Sequence, residues 1–245
     1  MRIAVGGIIH ERWTLLPYLE ALDKLDTRGI DAVPTFVVDG DLEQPFVWGK
    51  DVQGEVVWCD LSGPHYRRQK SNSRAIYGRM ATLRNILREL ALGLDCDALL
   101  SVDSDIIVQS DLLQRLVATG KPWVAPLVQN DVGGINPRGH WNVFRLRGIE
   151  RDAGLVDHFL PMGPGWPKEE VLDWDPRDPK KEQCLAAGAV CLYHRELLEK
   201  VRWGTDERGR QEDIGFAMDA FKAGYRASYI PMRLKHLTVD GLEET

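Results

Sequence analysis

Along the first 120 residues, apolar and polar positions switch repeatedly between two periods, and this switching sketches a fold. RIAVGGII is a short apolar run with β-branched members and predicts a strand. WTLLPYLEALDKLDTRG then repeats apolar residues at helical spacing as far as Gly29. Ala32 to Val38 and Glu55 to Trp58 predict two more strands, ending near Asp39-Gly40 and Asp60. In AIYGRMATLRNILRELALG, Ile76, Met80, Leu83, Leu87 and Leu90 form one helical stripe that closes at Gly93, a residue type suited to the position after a helix. Asp97 to Val102 is too apolar to be half exposed and predicts a buried parallel strand. QSDLLQRLVATG supplies the next helix, with Ser110 as its N-cap. Strands alternating with helices predict an open α/β sheet.

The second half is less regular. PWVAPLV predicts a strand, followed by the glycine-rich loop QNDVGGINPRGH and the alternating segment WNVFRLRG, which suits a hairpin or an edge strand. Residues 151–181 are rich in proline, glycine and charge without a clear period and predict a long functional loop. CLAAGAVCLY predicts one buried strand, HRELLEKV a short helix, DIGFAMDAFKAG a helix ending at Gly224, and YRASYIPM a last strand. With no repeat and no low-complexity linker, residues 1–245 are expected to form one domain, a nucleotide-side half over 1–115 and an acceptor-side half over 116–245.

Composition narrows the class. Of the 245 residues, 44% are apolar, enough for a sizeable core, and no apolar run approaches the ~20 residues that a membrane-spanning helix needs. Charged residues enter too early for a secretory signal, so a soluble cytosolic protein is expected. Cys59, Cys96, Cys184 and Cys191 form no CxxC pair and suit reduced core thiols. The net charge of −6 argues against a surface devoted to nucleic acid. It is unevenly spread, however: Arg67, Arg68, Lys70, Arg74, Arg79, Arg84 and Arg88 occur without an acid between Leu61 and Arg88. Such a cluster suits either a compact polyanion such as a diphosphate or a solvated helix face.

Asp103-Ser104-Asp105 ends the buried run LLSV, and the two-residue period of a strand would send both carboxylates to one side. Two unpaired carboxylates held close raise each other's pKa, and a divalent cation is a natural counter-charge that also bridges to phosphate oxygens. The chain holds three further Asp-x-Asp matches, at Asp39, Asp95 and Asp173. Position separates them: ligands of open α/β sheets gather beyond the carboxyl ends of strands, and the match at Asp103 directly ends a continuous apolar strand.

DALLSVDSDIIVQSDLL, with the preceding helix that carries Arg79 and the Leu83-Arg84-Asn85 triplet, resembles the metal-binding segment of GT-A glycosyltransferases, and its Arg-x-x-x-x-Leu-Arg-Asn pattern is similar to mannosyltransferase-like members. The resemblance implies a Rossmann-like domain with a mostly parallel sheet and a smaller acceptor-side hairpin region. It implies a nucleotide-sugar donor held by Arg79, Arg84, Asn85, Asp103 and Ser104, with Gly7 and Asp60 on the same side. RQEDIGFAMDAFKAGYRASYIP resembles the family's acceptor-side segment, which makes Asp213, beside Glu212, the candidate base of an inverting transfer. Acids in the first turn of a helix also stabilise it through its dipole, by ~0.3–1 kcal/mol, without any catalytic part. His236 resembles the family's late histidine, which completes a metal shell with Asp103 and Asp105. An imidazole among oxygens suits Mn²⁺ over Mg²⁺. His10, His65, His140, His158 and His194 show no ligand spacing among themselves.

Trp141, Trp166 and Trp174 offer indole faces on which a sugar could stack, and Gly188 and the Gly133-Gly134 pair are expected to admit close approach on the acceptor side. The acceptor itself stays open: glycan, lipid, small molecule, protein or modified nucleobase. Two other enzyme classes compete. A haloacid-dehalogenase-type phosphatase also ends a strand in Asp-x-Asp, but normally early in the chain. A sugar nucleotidyltransferase usually shows a Gly-x-Gly-x-Arg loop, and IAVGGIIHERW lacks one. A non-catalytic sugar-binding module is the third alternative.

Overall fold

The computed structural model describes residues 1–10, 12–39, 55–59, 73–130, 140–147, 155–161, 183–186, 189–204 and 212–237. The apolar run RIAVGGII becomes β1 (Arg2–Ile9), buried on both faces, and the amphipathic segment after it becomes α1 (Arg12–Asp23). Then follow β2 (Asp31–Asp39), β3 (Glu55–Cys59), α2 (Ser73–Gly93), β4 (Ala98–Val102), the two-residue β5 (Ile106–Ile107) and α3 (Leu112–Ala118). The second half adds β6 (Trp123–Asn130), β7 (His140–Arg147), β8 (Leu155–Pro161), β9 (Gln183–Ala186), β10 (Val190–His194), α4 (Arg195–Lys200), α5 (Glu212–Lys222) and β11 (Ser228–His236).

The main sheet runs β3-β2-β1-β4-β10-β6-β11, and β5 pairs with the far end of β11. Pairs β1/β2, β2/β3, β1/β4 and β6/β11 are parallel, whereas β10 is antiparallel to both β4 and β6, so one strand of the seven is reversed. The α/β class with a mostly parallel sheet is therefore the observed one. The expected hairpin region is present as well: β7 pairs antiparallel with β6, β8 and β9. Each face of the sheet carries its own core, as the two-residue period of buried strands requires. Ala4 and Ile8 of β1 pack with Leu83 and Leu87 of α2, Leu197 of α4 and Phe216 of α5, while Ile3, Val5 and Ile9 pack with Tyr18 and Leu22 of α1 and Leu112 and Leu116 of α3.

Several expectations change. α2 does not close through a left-handed Gly93; Asp95 takes that conformation (φ 56), with the Asp95 and Cys96 amides donating to the Leu92 and Ala91 carbonyls at 3.1 Å each. Ser110 is not an N-cap: α3 starts at Leu112 after Asp111, and the Ser110 carbonyl instead accepts from the Asp26 amide at 2.7 Å. CLAAGAVCLY is split between β9 and β10, which belong to different pairings, and β8 crosses the segment expected to be a loop. His236 does not follow the last strand. It is the final residue of β11, because pairing with β5 extends the strand beyond the apolar stretch.

Sheet order fixes where a ligand can sit. The chain builds β1, β2 and β3 outward in one direction, then returns to lay β4 on the other side of β1. A crevice opens at the carboxyl ends of strands where the order reverses, and β1 and β4 flank that point. Gly7 serves this contact: a Cβ there would lie 2.0 Å from the Val102 carbonyl oxygen and 2.9 Å from the Tyr18 hydroxyl. Gly7 thus acts through packing of β1 against β4.

Candidate functional site

β4 delivers Asp103-Ser104-Asp105 to this crevice. The Asp103 amide donates to the Ala189 carbonyl at 2.7 Å, just before the reversed strand β10, and the Ile106 amide closes a turn on the Asp103 carbonyl at 3.0 Å. Ser104 is buried, whereas Asp103 and Asp105 both keep part of their surface in solvent; β4 ends at Val102, so a turn and not the alternation of a strand sets this arrangement. Beneath them, the buried Tyr18 hydroxyl donates to the Val102 carbonyl at 3.0 Å. Burial pushes the Tyr18 phenol well up, and the charges of Asp103 and Asp105 add to the effect.

The chain's last described strand meets the same turn. His236 pairs with Ile106, and the Leu237 amide donates to the Asp105 carbonyl at 2.7 Å. The backbone of the expected late histidine therefore stands beside the acids that end β4; its side chain is outside the described residues.

From the opposite side comes α5, whose first residues are Glu212 and Asp213. Gly215 lets this helix lie close to the segment after α4: a Cβ there would meet the Gly204 carbonyl oxygen at 2.1 Å. Between α5 and the β4 turn lies the side chain of Arg84, 4% exposed. Its Nη2 donates to Asp103 Oδ1 at 3.2 Å, and its Nε stands 3.7 Å from Glu212 Oε1 and 3.5 Å from Asp213 Oδ1. Arg84 Nε and Glu212 Oε2 are buried without a hydrogen-bond partner. Burial works against the guanidinium's charge, but Asp213, Asp103 and Glu212 outweigh it and hold Arg84 well above the usual arginine range.

Three carboxylates around one cation leave excess negative charge in a poorly hydrated place, and Glu212 and Asp103 respond by retaining protons. Burial, with Asp213 beside it, pushes Glu212 up to about 8, against the pull of Arg84. Burial, reinforced by Asp105 and Asp213 and opposed by Arg84, brings Asp103 to about 7. Tyr77, seven residues before Arg84 on α2, is pushed up by its burial and by the charge of Glu212.

The remaining candidates fall into place differently. Arg79 Nε donates to Asp39 Oδ2 at 2.8 Å, a second bond joins Nη2 to Oδ1, and both side chains are buried. Asn85 spends both ends of its amide on Trp203, donating to its carbonyl at 2.7 Å and accepting from its amide at 3.0 Å. Arg88 reaches the Leu198 and Val201 carbonyls at the end of α4. The basic cluster is expected to be either a polyanion-attracting patch or a solvated face; its described members Arg79, Arg84 and Arg88 are not solvated but turned inward and matched to acids or carbonyls. Arg84 and Asn85 are accordingly engaged with Asp103 and the α5 acids and with the Trp203 backbone, contacts that hold the site in shape. Arg67, Arg68 and Lys70, together with Asp60, Gly133, Gly134, Trp166, Trp174 and Gly188, lie outside the described residues. Trp141 is described only as a backbone position of β7, paired with Gln129.

Asp39, the partner of Arg79, is a residue that the sequence reading misses. Its signal was the criterion that singled out Asp103, namely a place at the carboxyl end of a buried strand beside the switch point. Tyr18 carried no signal, being one apolar position of an amphipathic helix.

Among the described residues, no three His, Cys, Asp or Glu side chains converge into a self-sufficient cation site. The donor set still fits a hard divalent cation of the kind held by one or two carboxylates, with substrate phosphates and water filling the other positions. Asp103 and Asp105, both reachable from solvent, are the residues that would hold it.

No family model matches the chain, and no curated protein matches it. Among solved structures it is similar to A197 from STIV, at 16% identity over 99% of this chain and 93% of that one, with a TM-score of 0.46. It is also similar to CMP:2-keto-3-deoxy-manno-octonic acid synthetase complexed with CTP, at 12% identity over 94% of this chain and 89% of that one, again with a TM-score of 0.46. Likenesses at this level assign no activity.

Proposed function

We propose that the chain is a divalent-cation-dependent glycosyltransferase of the GT-A type, moving a sugar from a nucleotide-sugar donor to an acceptor hydroxyl. One observation carries this reading: Asp103 at the switch point and the Glu212-Asp213 pair at the start of α5, over one hundred residues apart in sequence, meet on a single buried guanidinium. Asp103 and Asp105 would hold the cation, and His236, paired with Ile106 and followed by the Leu237 amide that donates to the Asp105 carbonyl, is the candidate third contributor. Mn²⁺ is the favoured cation and Mg²⁺ the alternative. Once bound, such an ion supplies positive charge to the diphosphate that departs from the donor.

The chain's own groups divide the remaining work. Glu212, raised to about 8, holds a proton near neutrality and is a hydrogen-bond donor rather than a base. Asp213 is the candidate base for an inverting transfer, accepting the acceptor hydroxyl's proton as the new bond forms. Arg84 keeps Asp213 and Asp103 facing one another across the crevice.

The test is a thermal-shift screen of nucleoside diphosphates with and without Mn²⁺. The expected outcome is a cation-dependent rise in Tm for one base, lost in Asp105→Ala. No shift with any nucleotide, or an undiminished shift in the variant, removes the reading. A matching turnover assay distinguishes the nearest alternative, because release of pyrophosphate instead of a nucleoside diphosphate identifies a nucleotidyltransferase. Asp213→Asn is expected to lower kcat by ~10²–10⁴-fold with the fold intact, as loss of a general base does.

A further inference from the structure

Arg84 poses a problem that the functional reading leaves unsolved. A guanidinium 3.2 Å from Asp103 occupies, with its charge, the neighbourhood where a divalent cation is to bind. It cannot retreat into water, since only 4% of the side chain is exposed and its Cα belongs to the middle of the long helix α2. It also has somewhere else to place its hydrogen bonds. Its Nε lies within ion-pair distance of Glu212 and Asp213 but makes no hydrogen bond, and Glu212 Oε2 is likewise buried without a partner. The arrangement shown is one in which the guanidinium has spent a hydrogen bond on Asp103 and left its own Nε and Glu212 Oε2 without one.

We propose that Arg84 is the resident counter-cation of the site: it competes with a divalent cation for Asp103 and, when displaced, turns its hydrogen bonds to Glu212 and Asp213, so that loading of the ion and setting of the acidic pair are coupled. The proposal rests on the cation site assigned to Asp103 and Asp105 above. Two positive charges on one carboxylate oppose each other, while a guanidinium shared among three acids needs only a small rotation about its terminal torsions to change partners. Arg84 is thereby a positioning residue. It reaches the reaction through Asp103 and Asp213, and its burial keeps it away from the donor.

Coupling of this kind has a sign that a merely structural arginine would not produce. Binding of Mn²⁺ alone, followed by the electron paramagnetic resonance of the free ion, is expected to be ~10-fold or more tighter in Arg84→Gln than in wild type, although turnover falls. Arg84→Lys, which keeps the charge, is expected to bind Mn²⁺ within about threefold of wild type. Equal or weaker binding in a folded Arg84→Gln overturns the proposal. Should that variant fail to fold, the wild-type protein decides. With arginine side chains labelled at Nε, Mg²⁺ is expected to move the Arg84 Nε–H resonance, and an unmoved resonance at saturating Mg²⁺ overturns the proposal. Failure of wild type to bind either ion would instead remove the cation-site reading itself, so the two failures are distinguishable.

Discussion

At the scale of single residues, the sequence shows which chemistry is present more readily than which partner each group chooses. The acids at Asp103, Asp105, Glu212 and Asp213 are legible because their spacing and their place at element ends are local facts. The inward turn of Arg84 and Arg88 is not. Each directly follows a core leucine, Leu83 or Leu87, and so lies about 100° around α2 from the stripe that meets the sheet. Whether that flank faces water depends on α4 and α5, which arrive over one hundred residues later and which no period within α2 announces. Asp95 is a second case. Its left-handed backbone costs an L-residue up to ~1–2 kcal/mol, less for an aspartate, and its bond to Arg195 at 2.7 Å is exposed and returns little. Asp95→Gly is accordingly expected to stabilise the protein by about 0.5 kcal/mol, seen as a small rise in the midpoint of chemical denaturation.

Elements are positioned here by side chains that grasp main chain. Asn85 closes a two-bond ring with the backbone of Trp203, Arg88 caps the end of α4, and the indole of Trp203 stacks on Phe216 of α5 with ring centroids 4.2 Å apart. Together these contacts locate the start of α5, and with it Asp213, relative to α2. Removing the amide in Asn85→Ala leaves the Trp203 N–H and C=O without their partner. It is expected to cost about 2 kcal/mol in equilibrium unfolding and to lower kcat more than KM, because the acidic pair loses its registration. Element types followed the sequence where one strand met one helix, through α3, although α3 begins later than Ser110 predicts. They departed from it where pairing is decided by distant chain: CLAAGAVCLY is apolar throughout, yet β9 joins β7 while β10 joins β4 and β6. His236 became a strand residue through β5, whose two residues are too few to leave a pattern.

For the molecule as a whole, the buried acids leave a mark on stability against pH. Glu212 has an ordinary value of 4.5 and is held up to about 8 when folded, so between these limits the native chain retains a proton that the unfolded chain has released. Stability from this group is complete below about 4.5 and is lost as pH rises through about 8; Asp103, raised to about 7, acts in the same direction. In the absence of divalent cation, Tm is therefore expected to fall between pH 5 and pH 9. Glu212→Gln should flatten that fall, its advantage over wild type growing with pH, as thermal melts in chelator-containing buffers would show.

The reversed strand β10 bears on how such a chain comes to be assembled. It occupies the slot between β4 and β6, so β4 emerges from a ribosome with one hydrogen-bonding edge bare and keeps it so until Val190 has been synthesised. Cutting the polypeptide near residue 121, between α3 and β6, would fall outside every strand and helix yet leave that edge bare in the first fragment. Neither fragment could then complete its sheet alone, and recovery on mixing the two would report insertion of the missing ribbon.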